Sequence, residues 1–190
     1  MIPQEVLDYV DFKAGSYWIY QDSATGRIDS EVVVSNRHYL EGTSDNSICD
    51  QQFYQYENIE MIKERYDSAG NLTFTWIVEF ENNFKRGKPE YNGIFLIDNY
   101  DDLTIGFPFN KNYWVGSYAY SEEELDSIVI NNITYPRVLK VVGKFDGINL
   151  NIDFKIYNYL SKKIGKVGLA TTGANWNDFS RIYLLRYWIN

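Results

Sequence analysis

The chain has 190 residues, a net charge of −8 and a sequence pI near 4.7, with a single Cys and a single His. That length fits one domain, or one domain of two fused half-units; Cys49 alone excludes an internal disulfide, and with His38 it is too few for a Cys/His zinc site. An acidic chain without a basic stripe argues against nucleic acid, and no apolar run reaches the roughly 18–20 residues of a membrane-spanning helix.

The first residues, Met1-Ile-Pro-Gln-Glu, have neither the basic nor the apolar region of a signal peptide. Ile2, Val6 and Val10 recur every fourth residue after Pro3, which predicts a short N-terminal helix docking one face. From there, alternation of apolar and polar residues dominates. Strands are predicted at about 15–21, 27–35, 51–57, 59–66, 72–81, 92–98, 112–119, 126–131, 133–143, 148–159, 166–171 and 180–189. The clearest are Leu72-Thr-Phe74-Thr-Trp76-Ile-Val78-Glu-Phe80 and Ile148-Asn-Leu150-Asn-Ile152-Asp-Phe154-Lys-Ile156, each with one face on a core and one on water.

Ser23-Ala-Thr-Gly26, Asp67-Ser-Ala-Gly70-Asn71, Asn131-Asn132 and Asp146-Gly147 supply the turns. Pro136 cannot donate to a ladder, so its strand lies at an edge or carries a bulge there. Ser121-Glu-Glu-Glu124 has the form of a capping box and predicts one helical turn. Strands at this spacing, with minimal helix, predict an all-β domain over residues 1–190: an antiparallel barrel, or a barrel-like two-sheet sandwich, of about 10–12 strands.

The chain also repeats itself. Phe12-Lys-Ala-Gly-Ser-Tyr17-Trp18 returns as Phe109-Asn-Lys-Asn-Tyr113-Trp114, and Asp29-Ser30-Glu31-Val32 returns as Asp126-Ser127-Ile128-Val129, with Tyr39 answered by Tyr135. A spacing of 96 or 97 residues across three landmarks reads as duplication into half-units 11–106 and 107–190. The alternative is coincidence between phrases common in β proteins.

Chemistry is harder to find. Any hydrolytic triad would have to use His38, and no Gly-x-Ser-x-Gly elbow is present. Glu79 and Glu81 share a strand face about 7 Å apart, which suits a solvated face better than a glycosidase carboxylate pair. Asp98, Asp101 and Asp102 form an oxygen-rich stretch, a weak calcium candidate without EF-hand spacing. No cofactor is expected. Aromatics, at 17% of residues, are the remaining functional surplus. Tyr17, Trp18, Trp76, Tyr113 and Trp114 are therefore the candidate ligand-binding residues. In each adjacent Tyr-Trp pair, one ring must face away from the core.

The phrases Phe12-Lys-Ala-Gly15-Ser-Tyr-Trp18-Ile-Tyr20 and Ile164-Gly165-Lys-Val-Gly168-Leu resemble a loose family of uncharacterised β-rich extracytoplasmic proteins of Bacteroides-type bacteria, often lipid-anchored. The resemblance implies a location in the periplasm or at the outer cell surface. The expected function is non-catalytic: an extracytoplasmic binding domain for a hydrophobic or small organic ligand, lipocalin-like by analogy. The alternative is a cell-surface module that binds glycans or a partner protein through exposed aromatics.

Overall fold

A computed structural model describes residues 2, 4–45, 52–85, 88–96, 102–107, 112–115, 118–145, 155–172 and 181–190. The protein is all-β. One short helix, α1 (Gln4–Val10), precedes twelve strands: β1 (Tyr17–Asp22), β2 (Ile28–Asp45), β3 (Gln52–Tyr66), β4 (Leu72–Lys85), β5 (Lys88–Leu96), β6 (Asp102–Phe107), β7 (Asn112–Val115), β8 (Tyr118–Ile130), β9 (Ile133–Phe145), β10 (Lys155–Ser161), β11 (Gly165–Thr172) and β12 (Arg181–Trp188).

All twelve form one antiparallel sheet in the order β6-β5-β4-β3-β2-β1-β12-β11-β10-β9-β8-β7. It consists of two six-stranded meanders joined where β1 pairs with β12. Tyr17-Trp18 lies in the first strand of one meander and Tyr113-Trp114 in the first strand of the other. Tyr39 and Tyr135 do not match in this way, since they lie on the second strand of one run and the third of the other.

The ladder is open between β6 and β7 among the described residues, yet its two edges are near one another. Only residues 108–111 stand between Phe107 and Asn112, and an extended chain of that length spans at most about 18 Å. A flat sheet of twelve strands would hold these edges roughly 50 Å apart. The sheet therefore curls back on itself, as a barrel-like fold must.

Local chemistry explains most of the joints. Asp22 Oδ1 accepts from the backbone N–H groups of Ala24 and Thr25, and Asp67 Oδ1 does the same for Ala69 and Asn71, which fixes both hairpin turns. Asn131 and Asn132, with φ of 50° and 63°, make the tight β8–β9 turn. The acidic run at Ser121–Glu124, expected as a helical turn, is instead strand β8. There Glu123 stands opposite Lys140 and binds it at 2.8 Å, so cross-strand pairing outweighs the local capping signal. The segments expected as two strands at 51–57 and 59–66 are one continuous strand, β3. Of the predicted 148–159 strand only β10 from Lys155 lies among the described residues, and the Asp146-Gly147 turn lies outside them.

Core residues come from one face of the sheet and from α1. Val6, Tyr9 and Val10 of the helix are buried with Ile2 and Phe12, against Trp18, Tyr20, Val33, Ile59, Met61, Leu139, Val141, Leu160, Val167 and Leu184. The helix is pinned by polar bonds at its edges: Lys162 Nζ to Asp8 at 3.0 Å, Asn36 Nδ2 to Asp11 at 2.7 Å, and the Tyr9 hydroxyl to the Arg137 carbonyl at 3.3 Å.

Beyond Val138, β9 leaves β10 and keeps only β8 as neighbour. Arg137 takes a left-handed backbone (φ 48°) at this point, and Pro136 sits in the stretch with a free edge, where a residue lacking an N–H is tolerated. The rest of the β8–β9 hairpin folds back over β10–β12. Tyr135 donates to the Leu184 carbonyl at 3.4 Å, and Ser161 Oγ donates to the Pro136 carbonyl at 2.8 Å.

Candidate functional site

The folded-back hairpin creates a cleft. Along β10, Ile156, Asn158 and Leu160 are buried on the core side, so Tyr157 and Tyr159 point to the opposite face. These two rings, with Ala170, Ile182 and Tyr183, form one wall, and Ile128 and Ile130 of the hairpin form the other. The space between them is about 570 Å³, within the usual range of small-molecule sites. Its lining is mostly apolar, and the polar groups are tyrosine hydroxyls and small side chains at the rim, including Ser23 and Thr171. The Tyr183 hydroxyl donates to Gln21 Oε1 at 2.6 Å, which fixes that ring.

Gly168 sets how closely the hairpin approaches. A Cβ at this position would lie 2.9 Å from Ile130 Cδ1 and 3.6 Å from the Tyr159 ring, so a larger residue would force the end of the Ile130 side chain aside.

A second feature lies on the core face. Glu31 on β2, 1% exposed, pairs across the ladder with Arg65 on β3, and its Oε1 accepts from Arg65 Nη2 at 3.0 Å and from Lys166 Nζ at 3.1 Å. Burial raises the Glu31 carboxyl, but Lys166, Lys63 and Arg65 together outweigh it and hold the group down at about 2. Lys63 has the same phase on β3 as Arg65, and its ammonium sits 4.4 Å from the centroid of the Trp18 ring. Burial pushes the Lys63 ammonium down to about 8; Glu31 opposes this, while Lys166 and Arg65 add to it.

Of the five expected aromatic residues the structure describes the side chains of Tyr17 and Trp18, and neither lines the cleft. Trp18 is fully buried: its indole Nε1 donates to the Ile164 carbonyl, and its ring meets Phe12 edge-on at 5.0 Å. Tyr17 is half-buried on the other face, opposite Trp188 in the ladder, and Trp188 is 60% exposed. The first Tyr-Trp pair therefore resolves with Trp18 inward and Tyr17 outward. Trp76 stands opposite Lys63, Tyr113 opposite Tyr120 and Trp114 opposite Ala119 in their ladders; their side chains lie outside the described set.

Asp98 and Asp101 also lie outside the described residues, and Asp102 opens β6 opposite Leu96. Among the described residues no three His, Cys, Asp or Glu side chains gather as a metal site would require. His38 ties α1 to the sheet, with Nε2 3.0 Å from Asp11 and Nδ1 3.7 Å from Glu57. Cys49 lies outside the described residues.

Sequence reading missed both the cleft and the buried charges. The charges had a signal: Lys63 and Arg65 continue the apolar phase of Ile59 and Met61, so cations fall where core residues belong. The cleft had only Pro136. Comparison of the chain with protein-family models, with curated proteins and with solved structures gave no match.

Proposed function

We propose that the chain is a non-catalytic binding domain for a small, largely apolar organic molecule, held between the β8–β9 hairpin and the outer face of β10–β12. The observation that carries this reading is the cleft of about 570 Å³ walled by Ile128, Ile130, Ala170, Ile182 and three tyrosines. Apolar walls provide affinity and a few hydroxyls provide orientation, the usual division in small-molecule sites. The accompanying location is extracytoplasmic, and it rests on the resemblance carried by Gly15-Ser-Tyr-Trp18-Ile-Tyr20 alone.

The test is titration with the neutral apolar fluorophore N-phenyl-1-naphthylamine. Binding by the native chain and its loss in Ala170→Trp, a variant that fills the cleft, support the reading. Unchanged binding in a folded Ala170→Trp variant overturns it.

A second reading, a surface module for glycans or a partner protein, is favoured by the exposed Trp188 opposite Tyr17. Adjacent outward rings are a stacking platform for sugars. Silence on a glycan array counts against its sugar version.

A further inference from the structure

The outer cleft is stopped at one end and polar at the other. Tyr159 on β10, Gly168 on β11 and Tyr183 on β12 stand side by side in the ladder. Glycine leaves a gap between the two tyrosines, whose strands are about 10 Å apart. The end of Ile130 fills that gap, since a Cβ on Gly168 would lie 2.9 Å from Ile130 Cδ1. Beyond this row, toward Leu160, Lys166 and Leu184, no described residue of β10, β11 or β12 lines the cleft.

The opposite end is built differently. Tyr135 of the hairpin reaches Leu184 and Ile130 reaches Gly168, so the hairpin tip at Asn131 points on toward Ala170. Thr171 follows Ala170 along β11, and Ser23 follows Asp22, which stands opposite Ile182. Ser23, Asn131 and Thr171 all line the cleft, and they bring hydroxyl and amide groups to this end. Between the two ends, Gly168 and Ala170 form a floor of small residues, banked by tyrosines on β10 and β12 and roofed by Ile128. The result is a trough running along β11.

No charged side chain lines this trough among the described residues. Lys140, opposite Tyr159 in the β9–β10 ladder, is already paired with Glu123 at 2.8 Å. A charged ligand would lose water there without gaining a partner.

We infer, on the reading that this cleft binds an apolar molecule, that it selects an uncharged, elongated amphiphile such as a straight-chain alcohol, with Ile130 as the residue that sets the length accepted. The tail lies along Gly168 and Ala170 and ends against Ile130, and the hydroxyl sits at the Ser23–Thr171 end.

The test is isothermal titration calorimetry with 1-alkanols from hexanol to dodecanol, and with decanoate. In the native chain affinity should rise about fourfold per added carbon up to a limiting length and then level off. Ile130→Val removes one carbon and Ile130→Ala three, so the limit should lengthen by about one and about two to three carbons. Decanoate should bind about tenfold more weakly than 1-decanol, or worse. The same limit in the native chain and both Ile130 variants overturns the role given to Ile130. Decanoate binding as tightly as 1-decanol overturns the uncharged class. Absence of alkanol binding in a chain that still binds N-phenyl-1-naphthylamine overturns the amphiphile while leaving the cleft reading standing; absence of both overturns the two together, as does alkanol binding unchanged in a folded Ala170→Trp variant. Ile130→Val keeps the test decisive should Ile130→Ala fail to fold.

Discussion

The hydroxyl of Tyr20 donates to the backbone carbonyl of Lys166 at 3.0 Å, although β12 stands between their two strands in the sheet. The β11–β12 ladder covers only Gly168–Ala170 against Arg181–Tyr183. Beyond it, the side chains of Tyr20 and Trp18 reach through the core to the carbonyls of Lys166 and Ile164, groups a neighbouring strand would ordinarily satisfy. Tyr20→Phe keeps the ring and strands one buried acceptor. It should cost about 1–3 kcal/mol in chemical denaturation; an unchanged midpoint would show that water replaces the hydroxyl.

Much of this sheet was legible in advance. The 72–81 alternation became β4, the Ser23–Gly26 and Asp67–Asn71 turns are formed, and the Ile2, Val6, Val10 spacing became α1. What stayed hidden has physical causes. Strand β2 runs on to Asp45 through Asn36-Arg-His-Tyr-Leu-Glu, where pairing with β3 needs no apolar face. Glu57-Asn58 resembled a break, but Asn58 is buried and donates to Glu41 at 2.8 Å across the ladder. Strand β6 alternates, with Leu103, Ile105 and Phe107 apolar, but at six residues beside the acidic stretch at 98–102 it was not read as a strand. The cleft depends on a reversal at Arg137, and an arginine in a left-handed backbone leaves no local mark.

Removing one member of the buried charge cluster should be costly. Glu31→Gln leaves Lys63, Arg65 and Lys166 without their carboxylate and should cost about 3–5 kcal/mol. The same group sets an acid limit. Its folded value of about 2 lies below the usual 4.5, so unfolded chains bind the proton first. The stability it contributes is full above about pH 4.5 and is lost as pH falls toward 2. Denaturation midpoints should fall across that window in the native chain more steeply than in Glu31→Gln.

Lys63 predicts the opposite flank. Its folded value of about 8 lies below the usual 10.5, so between these limits the unfolded chain holds more protons and stability rises with pH. Tyr20, whose burial raises its hydroxyl, works the other way above pH 10, but equally in native and variant chains. The stability of the native chain relative to Lys63→Met should therefore increase from about pH 8 to pH 10.5. A flat difference would place the Lys63 ammonium in water.

At the cleft, Gly168→Ala drives a Cβ to 2.9 Å from Ile130 Cδ1. Because the clashing atom is the end of a flexible side chain that can turn aside, the cost should lie at the low end of overpacking, about 1 kcal/mol. Ile130→Val removes the clashing methyl, so the double variant should recover most of the loss. Thermal unfolding of the two single variants and the double variant measures this coupling directly.

Pairing β1 with β12 puts residues near opposite ends of the sequence side by side at the centre of the sheet: Trp18 beside Tyr187, and Tyr17 beside Trp188. Each meander can assemble from neighbouring hairpins, but the seam between them closes only across the full length of the chain. Contacts of such sequence separation form slowly. During synthesis, β1 would wait with its edge unpaired until the last strand emerged, so the central seam is where folding of this protein finishes, and where an interrupted chain would be most exposed to aggregation.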